Sequence, residues 1–363
     1  MSALEPGASG GGESLPSESL PSESLPEGAE SEAPGQSLPG VSLVVPNYNG
    51  AKLLPRYTPS LLAAAARYPG PAEVVVVDDG SSDDSLEVLR RELPEVRVVV
   101  HAQNRGFGAA CKSGIEAAQH ELCVLLNSDV LADEDFLAPL LGPFGEDPDV
   151  FSVSPLILDS SGRPGKVTVN LPRLKDGDLR WEGVDPDELL RLSQLPLETP
   201  LVIYSLFGLG GAIALRRSRF LAIGGFDPLY VPFYHEDVDL GLCAWRRGWT
   251  VRVEPRSRVT HDDGGTINQH FAPYRVKVAR RRHRILCGWK HAGGAWRASY
   301  ERTLVRRALT KWLRLDRRYY AALWGAWQRR GEALAGRARE EAATVLPLED
   351  AFARIRSAWP PAF

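Results

Sequence analysis

Four short apolar runs recur between residues 41 and 129, and three of them break off at acidic or amide residues. VSLVVP (41–46) leads into Asn47, EVVVVDD (73–79) ends on Asp78 and Asp79, and ELCVLLNSD (121–129) ends on Asn127, Ser128 and Asp129; VRVVV (96–100) lies between the last two. The first of these is an apolar run typical of a strand buried on both faces, and the other three read as strands too. The intervening stretches read as helices. The first is Leu- and Ala-rich and stops before Pro69 and Gly70, the second has N-cap candidates at Ser82 and Asp83, and the third opens in the glycine-rich NRGFG (104–108). Another helix is expected to begin near Asp133. Strands alternating with helices predict an α/β fold with a Rossmann-like, mostly parallel central sheet flanked by helices.

Further along, the pattern loosens. A strand is expected near 151–158, then a polar excursion, then an uncharged run (199–215) whose Gly208, Gly210 and Gly211 suit a buried strand and tight loop. That run is slightly short of the roughly 18 apolar residues a spanning helix needs. A helix is expected over 235–247, and a strand over 250–254 leading to His261.

Charge is distributed unevenly. The formal net charge of -3 combines seven Glu and no Lys or Arg in residues 1–40 with 21 basic and 7 acidic residues in 275–363. The segment 13–27 repeats ESLPS, and a Pro- and Ser-rich repeat cannot bury enough surface to offset its ordering entropy. Residues 1–39 are therefore expected to be a disordered acidic tail, 40–270 the catalytic domain, and 271–363 a basic helical extension. Cys111, Cys123, Cys243 and Cys287 show no CxxC spacing, and no basic start followed by an apolar block marks a signal peptide. Both point to a cytoplasmic protein with free thiols, working in solution or at the cytoplasmic face of a membrane.

In open α/β sheets the ligand lies at the carboxyl ends of the strands. Here those ends carry Asn47 and Tyr48, then Asp78 and Asp79, then Asn127, Ser128 and Asp129. A plain core does not require such a set, although turn and cap chemistry favours each residue singly.

Eight motifs then follow in order: VVPNYN, VDDGSSD, NRGFGAACKSGI, LLNSD, GGAIALRR, GGFD, HEDVDL and VTHDDGGT. Together they resemble the inverting family-two glycosyltransferases of the GT-A fold, particularly the bacterial branch of rhamnosyl- and galactofuranosyltransferases. The resemblance spans nearly all of 41–266. It implies a metal-dependent transfer of sugar from a nucleotide-sugar donor to a hydroxyl of a glycan or lipid-linked acceptor, as in cell-surface polysaccharide synthesis. It places Pro46, Tyr48, Asn49, Asp78, Asp79, Arg105, Gly106, Asn127, Ser128 and Gly211 at the nucleotide sugar, with the Tyr48 ring against the base. LLNSD occupies the place of a D-x-D metal motif, with Asn127 at its first acidic position. Asp129 would hold Mg²⁺ or Mn²⁺, aided by His261. Asp237 corresponds to the general base and Glu236 would position base or acceptor. One departure is Cys243, which stands where the family usually carries an arginine.

Two other readings of such a sheet are weaker. A nucleotidyltransferase needs a glycine-rich phosphate loop with basic residues after the first strand, and VVPNYNGAKLL lacks one. A catalytically silent scaffold subunit typically loses the metal or base residue, and both are present here.

In the basic extension, Leu304, Ala308, Trp312, Leu315, Tyr319, Leu323 and Trp327 recur at helical spacing, and arginines crowd the other faces. A basic, Trp-bearing amphipathic helix over 299–330 suits peripheral association with an anionic membrane. The alternative is packing onto the catalytic domain or a second subunit, as in a homo-oligomer. No base-stacking or groove-reading motif points to nucleic acid.

Overall fold

The computed structural model describes residues 38–165, 168–261 and 272–359. The repeat-bearing tail and the DDGGT that closes the last motif lie outside the described residues.

The four strands expected between 41 and 129 form one side of the sheet. Strands β1 (Val41–Asn47), β2 (Ala72–Asp78), β3 (Arg97–Val100) and β4 (Leu122–Leu126) run parallel, in the spatial order β3-β2-β1-β4. Their side chains alternate between faces. Val41, Leu43 and Val45 pack with Leu54 and Leu61 of α1 (Leu54–Arg67), Val88 of α2 (Ser85–Glu92), and Leu137 and Leu140 of α4 (Leu137–Glu146). Val44, Val75 and Val77 face the other way, toward Cys111 and Ile115 of α3 (Phe107–Ala117) and Trp245 of α7 (Glu236–Arg246). All these apolar groups are buried, which is why the runs show no polar alternation.

Beyond β4 the sheet becomes mixed. Strand β10 (Ala212–Arg216) lies antiparallel between β4 and β6 (Val150–Leu158), and β11 (Thr250–His261) runs parallel to β6. Two short strands, β5 (Val130–Ala132) and β9 (Ile203–Tyr204), pair antiparallel with β11. The chain after Asp129 thus first forms an edge strand, and α4 begins at Leu137 rather than near Asp133. A hairpin of β7 (Leu171–Lys175) and β8 (Asp178–Glu182), followed by α5 (Pro186–Leu192), fills the polar excursion, and α6 (Arg217–Ile223) follows β10.

Five helices complete the described chain: α8 (Pro273–His291), α9 (Gly294–Leu313), α10 (Arg317–Gln328), α11 (Arg330–Ala342) and α12 (Leu348–Ser357). Leu286, Trp289, Trp296, Tyr300, Ala326 and Phe352 belong to the same apolar cluster as Val44 and Trp245. The extension therefore shares one core with the sheet.

The continuous stripe expected over 299–330 is broken. Leu315 adopts a left-handed φ of 47°, and Asp316 caps α10 by accepting the Tyr319 N–H at 3.1 Å. Tyr319 turns inward and Leu304 and Leu323 pack at the core's edge, whereas Trp312, Leu315 and Trp327 are exposed. Helix α9 instead has a second, outward apolar face of Val305, Leu309, Trp312 and Leu313. No described helix is long and apolar enough to cross a membrane.

Candidate active site

The carboxyl ends of β1 and β4 open onto a cleft of about 2660 Å³. Small-molecule sites usually span roughly 300–1,000 Å³, so the cleft has room for a donor and an acceptor together. Pro46, Tyr48, Asn49, Asp79, Arg105, Gly106, Asn127, Ser128, Asp129, Gly211, Glu236, Asp237 and His261 all line it. Of the residues expected at the site, Asp78 alone is absent from this wall.

The floor is built by side chains closing their own turns. The Asn49 N–H donates to Ser81 Oγ at 2.9 Å, and Asn49 Oδ1 accepts the Ser82 N–H at 2.8 Å. These bonds stitch the first two strand ends together and leave the Tyr48 ring 46% exposed at the cleft. Successive residues at a strand end point to opposite faces, so Asp78 and Asp79 cannot both face the ligand. Asp78 points inward and is fully buried, accepting from Asn47 Nδ2 and the Ser81 N–H. It closes the turn and is not among the residues lining the cleft.

Asp79 reaches the wall, but its oxygens are already engaged. Oδ1 meets His101 Nδ1 at 2.6 Å and the Arg105 N–H at 2.9 Å, and Oδ2 accepts the Gly106 N–H at 2.8 Å. Its role is to hold the 104–106 loop at the start of α3, which leaves the Arg105 side chain exposed at the cleft. Gly80 allows this crossing: its φ is +72°, and a Cβ there would lie 2.5 Å from the Gln103 carbonyl carbon. At the end of β4, the Asn127 N–H donates to the Gly211 carbonyl at 2.9 Å. A Cβ on Gly211 would come within 2.7 Å of Asn127 Nδ2, so the glycine lets that amide stand at the cleft.

Asp129 follows β4 and His261 closes β11, and pairing of β5 with β11 brings them together. His261 Nε2 lies 3.2 Å from Asp129 Oδ1. Asp129 is only 9% exposed, and no described group hydrogen-bonds its Oδ1. A desolvated carboxylate oxygen beside an imidazole nitrogen is a donor set that suits a divalent cation.

Glu236 and Asp237, in the first turn of α7, line the same cleft. Tyr234 and His235 hold left-handed φ values of 70° and 78°, which turn the chain sharply into the helix. Burial raises the Asp237 carboxyl to about 6. Burial, reinforced by the neighbouring Asp237 charge, raises Glu236 to about 8. Glu236 Oε2 has no hydrogen-bond partner among the described residues. His235, by contrast, is driven down to about 3 by burial and is neutral.

A second group with metal-ligand chemistry starts on α7. Ligand atoms of Asp239, Cys243 and His291 come within 4.8 Å of one another. Lys290 Nζ stands 2.8 Å from the Asp239 carboxylate, however, and burial pushes the Cys243 thiol well up and keeps it protonated. An ammonium and a neutral thiol do not fit a cation site. Sequence reasoning missed Lys290 and His291, and it also missed Tyr234 on the cleft wall, which carries no signal beyond preceding HED.

Similarity to known proteins agrees with this geometry. Residues 42–188 match the sequence profile of Glycosyl transferase family 2. The N-acetylglucosaminyl-diphospho-decaprenol L-rhamnosyltransferase of Mycobacterium tuberculosis is 27% identical over 280 residues, spanning 72% of this chain and 88% of that protein. The pre-mycofactocin glycosyltransferase of the same organism is 31% identical over 232 residues, or 61% of this chain and 42% of that protein. GalNAc-T7, solved with UDP, GalNAc and Mn²⁺, superposes with a TM-score of 0.54 at 19% identity over 73% of this chain and 50% of its own. The sheet shares the GT-A fold of that neighbour, and the family match with the rhamnosyltransferase relative makes the chain a glycosyltransferase, an enzyme that moves a sugar from a nucleotide-sugar donor. Within that class, residues 42–188 are similar to glycosyl transferase family two.

Proposed function

We propose that the enzyme is an inverting, metal-dependent glycosyltransferase of the rhamnosyltransferase-like branch, acting on a lipid-linked glycan in cell-surface polysaccharide synthesis. What carries this reading is one cleft lined both by the Asp129–His261 pair and by Glu236 and Asp237, whose carboxyl pKa values are raised. Asp129 and His261 would hold Mg²⁺ or Mn²⁺. When bound, the ion supplies positive charge against the departing nucleoside diphosphate. Tyr48 offers its ring to the base, Arg105 and the Gly106 backbone face the donor, and Asn127, Ser128 and Gly211 shape the floor beneath the sugar. Asp237 takes the proton from the acceptor hydroxyl as its oxygen attacks the anomeric carbon, and Glu236 positions that hydroxyl. The test is a donor panel: UDP-, dTDP- and GDP-sugars with Mn²⁺, read by calorimetry and by turnover on a diphospholipid-linked acceptor. One base is expected to bind best and to support transfer. Absence of binding by every nucleotide sugar overturns the reading.

The lipid-linked acceptor is also supported by the surface of α9. Its outward face of Val305, Leu309, Trp312 and Leu313 is flanked by Arg302, Arg306, Arg314, Arg317 and Arg318. Apolar side chains ringed by cations match an anionic bilayer, and the four free, buried cysteines fit its cytoplasmic face. Full burial of a side chain such as Leu309 contributes roughly 1.5–3 kcal/mol. The double variant Leu309→Asp/Trp312→Asp should therefore bind phosphatidylglycerol vesicles at least about tenfold more weakly in co-sedimentation. Unchanged vesicle binding refutes the membrane reading. A shift in the variant's solution mass instead assigns the face to a second copy of the chain.

A further inference from the structure

Helix α7 carries both proposed proton-handling carboxylates in its first turn, and the same turn holds a third carboxylate, Asp239, that the reaction does not use. Asp239 is buried and meets four side-chain donors: Tyr230 Oη at 2.9 Å, Lys290 Nζ at 2.8 Å, His291 Nε2 at 2.7 Å and, more weakly, Cys243 Sγ at 3.9 Å. Burial alone would raise its pKa, but Lys290 together with His291 holds it well below the usual carboxylate range. Lys290 also donates to Asp227 Oδ2 at 2.7 Å, and its side chain is 4% exposed. Asp227 in turn caps the turn Pro228–Tyr230 by accepting the Leu229 N–H at 2.8 Å. Both Asp227 and that turn line the cleft.

We infer that Lys290, from the C-terminal extension, is a positioning residue for transfer: its ammonium bridges Asp239 and Asp227 and so sets the Glu236–Asp237 wall against the 227–230 wall. A desolvated cation between two carboxylates permits few alternative geometries, because leaving any member unpaired is costly. The far end of α7 is tied to the same extension. Arg246 donates to the His291 carbonyl at 2.7 Å and to Thr344 Oγ1 at 2.9 Å, and Arg247 pairs with Glu340 at 2.6 Å. The helix that presents the base is thus held at both ends by residues from 290 onward. Buried ion pairs contribute modestly to stability and more to defining one arrangement, so the effect belongs in geometry and rate.

The inference rests on Glu236 and Asp237 doing the proton transfer, and its test has an arm independent of activity. In Lys290→Met, amide exchange in the first turn of α7 and in 228–231 should speed up at least about tenfold, while β1 and β4 stay protected. The kcat should fall about 10- to 100-fold with the donor KM within about twofold, since an ångström-scale misplacement of a base has effects of that order. Lys290→Arg, which can still bridge two carboxylates, should recover to within about fivefold of the native rate. If Lys290→Met does not fold, Lys290→Met/Asp239→Asn removes both buried charges and should show the same exchange and rate changes. Unaltered exchange in α7, or equal losses in donor KM and kcat, overturns the inference. If the native enzyme transfers no sugar at all, the proposed function has failed, and the exchange measurement still decides the positioning role.

Discussion

Asp237→Asn should keep its affinity for the nucleotide sugar and lose about a thousandfold in kcat, within the range general-base removal produces. Asparagine preserves the shape and can still accept the Val238 N–H that Asp237 Oδ1 receives at 2.8 Å, so the start of α7 stays in place. What disappears is the group that accepts the proton. The pH profile provides the second half of the test. Burial raises Asp237 to about 6 and Glu236, beside it, to about 8. A base works only when deprotonated, so the rate should climb with pH, level off above about 6, and fall about tenfold per unit below it. Near pH 6 Glu236 is still protonated and neutral, so Glu236→Gln should leave that midpoint where it is. A Glu236→Gln enzyme as slow as Asp237→Asn, or a native limb near 8, would transfer the base role to Glu236.

The parallel side of the sheet was legible in its apolar runs. The runs at 41–46, 73–79 and 121–126 are strands whose valines and leucines are buried, with their ends on the ligand side of the sheet, whereas the run at 96–100 forms a half-exposed edge strand. Which of two adjacent aspartates faces the cleft was not legible in composition. It follows from pleat and register, which direct Asp78 under the turn and Asp79 toward the 104–106 loop. The nearness of Asp129 to His261 came from motif resemblance; in the structure it is produced by β5, a three-residue strand too short to recognise from its pattern. The 299–330 stripe failed at one residue, because helical spacing says nothing about the left-handed turn at Leu315. Lys290 and His291 were hidden by a different effect. Cations in the last turn of a helix ordinarily face solvent and favour its dipole. Here they turn inward because Asp239, on another helix, offers a buried carboxylate.

Asp129→Ala should cut turnover at least about a hundredfold, the equivalent of roughly 2.7 kcal/mol of barrier. It should also remove most of the dependence of donor binding on Mn²⁺. The competing role for this residue is a turn or cap carboxylate, and the two make different demands on its oxygens. A capping aspartate has its oxygens occupied by backbone N–H groups, as Asp79 does with those of Arg105 and Gly106. Asp129 Oδ1 is buried with no described hydrogen-bond donor, and the nearest group with ligand chemistry is His261 Nε2 at 3.2 Å. A desolvated carboxylate beside an imidazole nitrogen suits a cation site, which under the proposed function the donor diphosphate would complete. Removing the carboxylate should then leave the melting temperature almost unchanged and abolish the Mn²⁺-dependent part of nucleoside diphosphate binding seen by calorimetry. Asn127 adds no charge at the first position of the motif, so no second carboxylate there can compensate. If Asp129→Ala melted earlier yet turned over normally, with the same response to chelator as the native enzyme, Asp129 would be a structural residue and the cation would lie elsewhere.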